Sequence, residues 1–250
     1  MKDRIEREKI YHNERFKNAS HIRKSIEKYY SIHHCVTEYY YSLIDLYALN
    51  KKLLEVGCGI GSETNNYLRY VKSYVGIDIS SEGIKQAIQN INQSIYEIKY
   101  FEMDIEKTTF EENSFDVVSG MGILHHLNLN KAYSELSRII KDKGHIIFIE
   151  PLGHNPIINL YRKLTPKMRT MDEHPLKIKD IRLLSSYFHN VELRYFSLFT
   201  LIAVPFRNRS IFRFLVAIFK RIDDLVFKIP FFRKYAWVVI IHASMPINNR

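Results

Sequence analysis

The sequence predicts an α/β fold: a mostly parallel sheet of seven strands with helices on both faces. Three observations predict it. From Lys52 onward, short apolar runs alternate with helical patterns, the signature of βαβ units. The run Leu53–Val56 leads straight into the turn Gly57-Cys58-Gly59-Ile60-Gly61. A second apolar run then ends on Asp78, seventeen residues after Gly61.

In chain order, residues 1–50 read as an N-terminal helical cap, with interleaved charges and tyrosines at Tyr29-Tyr30 and Tyr39-Tyr40-Tyr41. Residues 51–250 form the main domain. Strands are predicted at Leu53–Val56, Tyr74–Ile77, Ile98–Phe101, Phe115–Ser119 and His145–Ile149, with helices near 62–70, 81–93 and 130–140. Ser80-Ser81-Glu82-Gly83 supplies helix-capping residue types, and Lys143-Gly144 ends a helix. Beyond Pro151 a polar, basic segment (151–177) precedes a helix near 178–188. Two further strands follow, near Val191–Tyr195 and Tyr235–His242. Between them, residues 196–232 make an insertion longer than a hairpin needs. Its apolar residues recur at helical spacing, from Ile211 and Phe214 to Ile218, Ile222 and Leu225. No apolar run there approaches the ~20 residues needed to span a bilayer, so it reads as amphipathic.

At 250 residues, with 46% hydrophobic and 13% aromatic residues, the chain has the length and composition of one folded core with additions. Cys35 and Cys58 make no disulfide framework and fit a reducing compartment. The first nine residues, rich in charge, contain no apolar segment, so no secretory signal is expected and the expected location is cytoplasmic. The net charge of +10 is unevenly placed: residues 1–150 carry −1 and residues 151–250 carry +11. That asymmetry suits an anionic partner, whether a phosphate or carboxylate on a substrate, an acidic membrane surface or RNA.

The glycine turn is where the chemistry begins. Alternating glycines permit positive φ and remove Cβ atoms where backbone approaches a ligand. Asp78 stands where a carboxylate accepts both hydroxyls of a ribose, and Glu55 places a second carboxylate that suits an ammonium and repels a pyrophosphate. The string Glu-Val-Gly-Cys-Gly-Ile-Gly (55–61) resembles motif I of the class I S-adenosylmethionine (SAM) methyltransferases. The resemblance continues through Gly-Ile-Asp-Ile-Ser (76–80), Met-Asp-Ile-Glu (103–106), residues 115–127 and residues 141–151, in the family's order. It is similar to the small-molecule "type 11" group.

This resemblance implies a Rossmann-like sheet whose last strand is antiparallel, and SAM as cofactor. Glu55, Gly57, Cys58, Gly59 and Gly61 would line the methionine part, and Asp78 the ribose. Asp104 would meet the adenine amine, Ile79 and Ile105 its ring faces, and Met121 the sulfonium. Cys58 reads as a small residue filling a tight space. For Asp104 a solvated turn residue is the competing reading. The segment Tyr11-His12-Asn13-Glu14-Arg15-Phe16 resembles a helix that covers the cofactor in related enzymes, against an exposed helix as the alternative.

On the acceptor side, a hydroxyl or acidic carbon needs a proton acceptor near neutral pH. Candidates at the carboxyl ends of strands are His125, His126, Glu150 and His154, with Glu150 ahead of His154. His125-His126-Leu127 resembles the His-His-Leu of small-molecule methyltransferases, where one histidine often packs structurally. Asp172-Glu173-His174-Pro175 reads as a lid over the site, as a metal-binding segment with His154, or as a solvated loop; single residues without ligand spacing favour the loop, and no metal site is expected. The 196–232 insertion has three readings: core or homodimer contact, a channel for a lipid-like acceptor, or an interfacial helix whose basic residues meet acidic lipid at the inner membrane face. The leading functional expectation is methyl transfer to a small apolar, amphiphilic or anionic metabolite. RNA methylation is the alternative, favoured by the basic half. It is weakened by Ser119-Gly120-Met121-Gly122, which offers no platform for an extruded base. A non-catalytic SAM-binding scaffold is the third.

Overall fold

A computed structural model describes residues 3–17, 31–91, 97–165 and 172–247. Tyr29-Tyr30, the end of the 81–93 helix and residues 166–171 of the 151–177 segment lie outside the described residues. Seven strands form one sheet: β1 (Lys52–Val56), β2 (Ser73–Asp78), β3 (Glu97–Glu102), β4 (Phe115–Met121), β5 (Ile140–Pro151), β6 (Phe188–Phe196) and β7 (Val238–Pro246), in the order β3-β2-β1-β4-β5-β7-β6. β7 runs antiparallel between β5 and β6, and the remaining pairings are parallel.

The central strands are continuous apolar runs because both faces are covered. β1 and β2 are buried along nearly their whole length, whereas edge strand β3 alternates exposed and half-buried residues. The described helices are α1 (Arg4–Lys17), α2 (His34–Ala48), α3 (Thr64–Tyr67), α4 (Ser81–Gln89), α5 (Leu129–Ile139), α6 (Pro156–Leu164), α7 (Ile178–Leu184), α8 (Phe212–Val226) and α9 (Pro230–Arg233). One core layer packs Tyr133, Leu136 and Ile139 of α5 and Ile181 and Leu184 of α7 with Val118 and Phe148 of the sheet. The other packs Val36, Tyr40 and Ile44 of α2 with Leu53, Val117 and Ile147. The sheet order reverses between β1 and β4, so their carboxyl ends open the crevice where such sheets bind ligands.

Several expectations change. Helix α5 already stops at Ile139, so Lys143-Gly144 lies inside β5 and does not end a helix, and the helix expected near 178–188 stops at Leu184. The helix expected over 62–70 is a single α-turn, α3, followed by turns; its consecutive Asn65 and Asn66 favour local side-chain bonding over helix propagation. The last strand begins at Val238, because 230–233 turns helical on Pro230. In the insertion a 3-10 segment, Thr200–Phe206, precedes α8 and α9. Its apolar residues are split between two faces: Phe212 and Val216 pack inward with Ile158, Leu201 and Val204, while Ile211, Phe214, Ile218 and Leu225 are exposed. The inward side of α8 also carries a buried carboxylate. Asp223 accepts the backbone N–H groups of Leu198, Phe199 and Thr200 and the Thr200 hydroxyl, fastening α8 to the 3-10 segment.

Candidate active site

Gly57, Gly59 and Gly61 all take positive φ, as the turn requires. The tightest approach is at Gly61, where a Cβ would lie 2.7 Å from the Tyr100 hydroxyl; at Gly59 one would lie 2.9 Å from the ring of Phe16 on α1. Gly59 also donates its N–H to Asp78 Oδ2 at 2.9 Å, and Ser80 N–H reaches Oδ1 at 2.8 Å. Two of the roughly four lone-pair positions of the Asp78 carboxylate are thereby used, which orients the group and leaves two for a diol. Burial raises the Asp78 pKa, opposed by these backbone donors and by His12 and Arg15.

Glu55 sits behind the turn, 4% exposed, and accepts the hydroxyl of Tyr74. Tyr74 lies in a buried aromatic group with Tyr67 and Tyr40, whose hydroxyls are 2.6 Å apart. Burial pushes the Glu55 carboxyl up to about 8, against the Tyr74 hydrogen bond. A buried acid at this position gains by meeting a cation. Cys58 is buried, and burial raises its thiol far above the ordinary range, which matches a packing residue and not a nucleophile.

Asp104 follows β3. Its Oδ1 accepts the N–H of Glu106 in a local turn, Oδ2 accepts nothing among the described residues, and burial raises its pKa. Ile105 is buried in the core, Ile79 is half-buried after Asp78, and Met121 is half-buried at the end of β4.

Helix α1 lies across this crevice. Asn13 Oδ1 accepts the Ser80 hydroxyl at 2.7 Å and the Glu82 N–H at 3.1 Å, engaging the start of α4. Arg7 forks onto Asp172 at 2.8 and 2.6 Å, and Arg4 reaches Glu106 and the His126 carbonyl.

Past β4, Gly122 has positive φ and its N–H bonds to the Ile149 carbonyl. Glu150, fully buried, then organises the turn that follows. Its Oε1 accepts the N–H groups of Ile123 at 2.9 Å and Leu124 at 2.8 Å, and its Oε2 faces His125 Nδ1 at 2.8 Å. The His125 and His126 rings pack with centroids 4.2 Å apart, and His126 turns toward Glu8 and His12 of α1.

Residues 54–148 match the methyltransferase domain family described as Methyltransf_11. The chain carries a methyltransferase domain. Over 97 residues it is 35% identical to an uncharacterized protein of Methanocaldococcus jannaschii, a match covering 38% of this chain and 35% of that protein. Over another 97-residue match it is 30% identical to a sterol 24-C-methyltransferase of Gibberella zeae, covering 37% of this chain and 26% of the enzyme. The chain thus spans about a third of the length of these curated relatives or less. In fold it resembles Haemonchus contortus phosphoethanolamine N-methyltransferase 2 in complex with S-adenosyl-L-methionine, with a TM-score of 0.61 and 15% identity over 84% of this chain and 53% of that one.

The methyltransferase domain is therefore of the class I, SAM-dependent type, with the seven-stranded sheet of that fold. Its chain fits SAM on its own geometry: a glycine cradle closed to any Cβ, an oriented carboxylate with two acceptor positions left, and a buried acid behind the turn. Glu55, Asp78, Asp104 and the glycines converge on the carboxyl ends of β1, β2 and β3. Two acceptor-side candidates change part. The Glu150 carboxylate is committed to two backbone donors and to His125, so it holds the turn and is not an open base. His154 does not join the site: its Nε2 faces the Ile178 N–H at 3.5 Å at the start of α7, and burial lowers its pKa. Sequence reasoning missed Glu8, and gave Asn13 no role of its own within the segment 11–16. The Glu8-to-His12 spacing of one helical turn was the available signal.

Proposed function

We propose that the protein transfers the methyl group of SAM to a small, amphiphilic or anionic acceptor presented at an acidic membrane surface. The observation that carries the acceptor class is the exposed apolar stripe made by Ile211, at the N-cap of α8, with Phe214, Ile218 and Leu225 of the helix, Phe214 and Leu225 each being 62% exposed. Helix α6 adds Ile157, Leu160 and Leu164, and it shares a buried cluster with α8 through Ile158. Arg207, Arg209, Arg213, Lys220, Arg221 and Lys228 punctuate this surface. Of the two nearby aspartates, Asp223 is buried and Asp224 pairs with Lys220 and Arg194. Apolar side chains ringed by cations suit an anionic interface. Among the described residues no helix is long and apolar enough to cross a membrane, so contact would be peripheral.

SAM, when bound, supplies an electrophilic methyl on a sulfonium with its leaving group attached. The chain's own work is alignment, which contributes up to ~7–11 kcal/mol in well-oriented systems. Glu55 and the glycine turn would hold the amino-acid end, Asp78 the ribose and Asp104 the adenine, while Met121 would flank the sulfonium. Phe16 and the α1 backbone would exclude water from above. His126, or His125 oriented by Glu150, would take a proton from a hydroxyl or acidic carbon.

Labelled SAM incubated with total lipid and metabolite extract, or with total RNA, tests the reading. Label is expected in the lipid or metabolite fraction, and label confined to RNA would overturn it. In sedimentation assays the chain should bind phosphatidylglycerol vesicles and not neutral ones, and Phe214→Asp combined with Leu225→Asp should abolish binding. Equal binding to neutral vesicles would sink the interfacial role.

A further inference from the structure

Glu8 is the one buried residue of α1, and it is a carboxylate. Its Oε2 faces two imidazoles: His12 Nε2 at 3.5 Å, one turn along the same helix, and His126 Nδ1 at 3.2 Å, from the turn after β4. The three ligand atoms lie within 4.8 Å of one another. His126 Nδ1 is buried and makes no hydrogen bond among the described residues, although its distance to the carboxylate would allow one. The ring aims past the oxygen, as it does when both atoms face a common third point.

We propose that Glu8, His12 and His126 form a binding site for a divalent transition-metal ion. Two ligands about 2.0–2.1 Å from a tetrahedral zinc stand about 3.3 Å apart. The two separations here fall within about 0.2 Å of that value. Two imidazoles and one carboxylate are a borderline donor set, suited to zinc, cobalt or ferrous iron in preference to magnesium or calcium. Three protein ligands leave a fourth position for water or an anionic oxygen of an acceptor. The ion would also bridge α1 to the turn after β4, joining the helix above the donor crevice to the acceptor side. A second group, His125, His126 and Glu173, shares His126. It is the weaker set, because Glu150 already engages His125 Nδ1 and Glu173 is only half-buried.

The inference does not depend on methyl transfer, since binding is measured without donor or acceptor. The full chain, stripped with a chelator, is titrated with zinc chloride by calorimetry and with cobalt chloride by visible absorption. One equivalent should bind, with the intense d–d bands of tetrahedral cobalt. Glu8→Gln and His12→Ala should each weaken zinc binding roughly 100-fold. His12→Cys, which restores a zinc ligand, should bind more tightly than His12→Ala. His34→Ala removes an exposed histidine that pairs with Glu38 on α2, and should bind like the parent. Absence of stoichiometric binding in the parent would overturn the site, as would equal affinity in His12→Ala or an equal loss in His34→Ala. A histidine–glutamate ion pair without metal would give the first of these results.

Discussion

Glu150 and His125 meet at 2.8 Å, carboxylate oxygen to Nδ1, across the carboxyl ends of β5 and β4, with both side chains closed to solvent. With the two backbone donors on its other oxygen, Glu150 is the keystone of the turn carrying both histidines. Removing one partner of a buried charged network strands the others. Glu150→Ala should therefore cost about 3–5 kcal/mol of stability. Glu150→Gln keeps an acceptor for the backbone and a group for the imidazole, and should cost only about 1–2 kcal/mol. Urea midpoints check both. A Glu150→Ala chain that unfolds at the parent's midpoint would refute the positioning role.

Asp78 carries the clearest prediction for the donor. Hydrogen bonds to a charged group contribute about 1.5–3 kcal/mol each, so Asp78→Ala should lose SAM affinity by at least roughly tenfold. Calorimetry reads the affinity, and thermal melting of the same sample reads whether the glycine turn has survived the loss of the Gly59 and Ser80 contacts.

Glu55 links donor binding to pH. Its carboxyl rises from an ordinary 4.5 to about 8 in the folded chain. The folded state thus holds a proton the unfolded state has released, and between these values stability declines as pH rises. A sulfonium bearing an ammonium favours the ionised form, so SAM affinity should increase as pH rises toward about 8. Calorimetry in buffers of different ionisation enthalpy should register proton release on binding. Glu55→Gln should flatten both effects, and persistence of the pH dependence in that variant would assign it elsewhere.

At the other end of the sheet, His145 and His242 stack against Tyr47 with centroids at 4.0 and 4.7 Å. Burial, then the neighbouring His242, lowers the His145 pKa from 6.5 to about 4. Folding here favours the neutral ring. Its contribution is complete above 6.5 and disappears as pH falls toward 4. His145→Phe keeps a ring for Tyr47 and removes the titration. Its denaturation midpoint should fall less than the parent's between pH 7.5 and pH 5, and parallel curves would contradict the assignment.

Much of this was legible in the chain. Strands β1, β2, β4 and β5 announce themselves as apolar runs because both of their faces are covered, and the Gly57–Gly61 turn and Asp78 lie in adjacent βα units. The acceptor side was harder. Glu150 looks like a base in sequence, because its partners Ile123, Leu124 and His125 arrive from the turn after β4, some 25 residues earlier. Glu8 sits among charges of a helix that reads as surface, and it is buried where α1 docks against the turn carrying His126. In α8, apolar residues fall on two faces, so periodicity alone assigns neither to solvent; the burial of Asp223 is what orients the helix.

Helix α1 is secured by charge and amide contacts far more than by apolar burial: Arg4 to Glu106, Arg7 to Asp172, Lys9 to Glu102, and Asn13 to Ser80. Phe16 over Gly59 is its main apolar foothold at the turn. Such links weaken as ionic strength rises, whereas the sheet beneath does not respond. Added salt should therefore loosen the helix well before it unfolds the domain. If α1 holds the spent nucleoside in place, its retention, and with it the pace of turnover, should vary with the surrounding electrolyte.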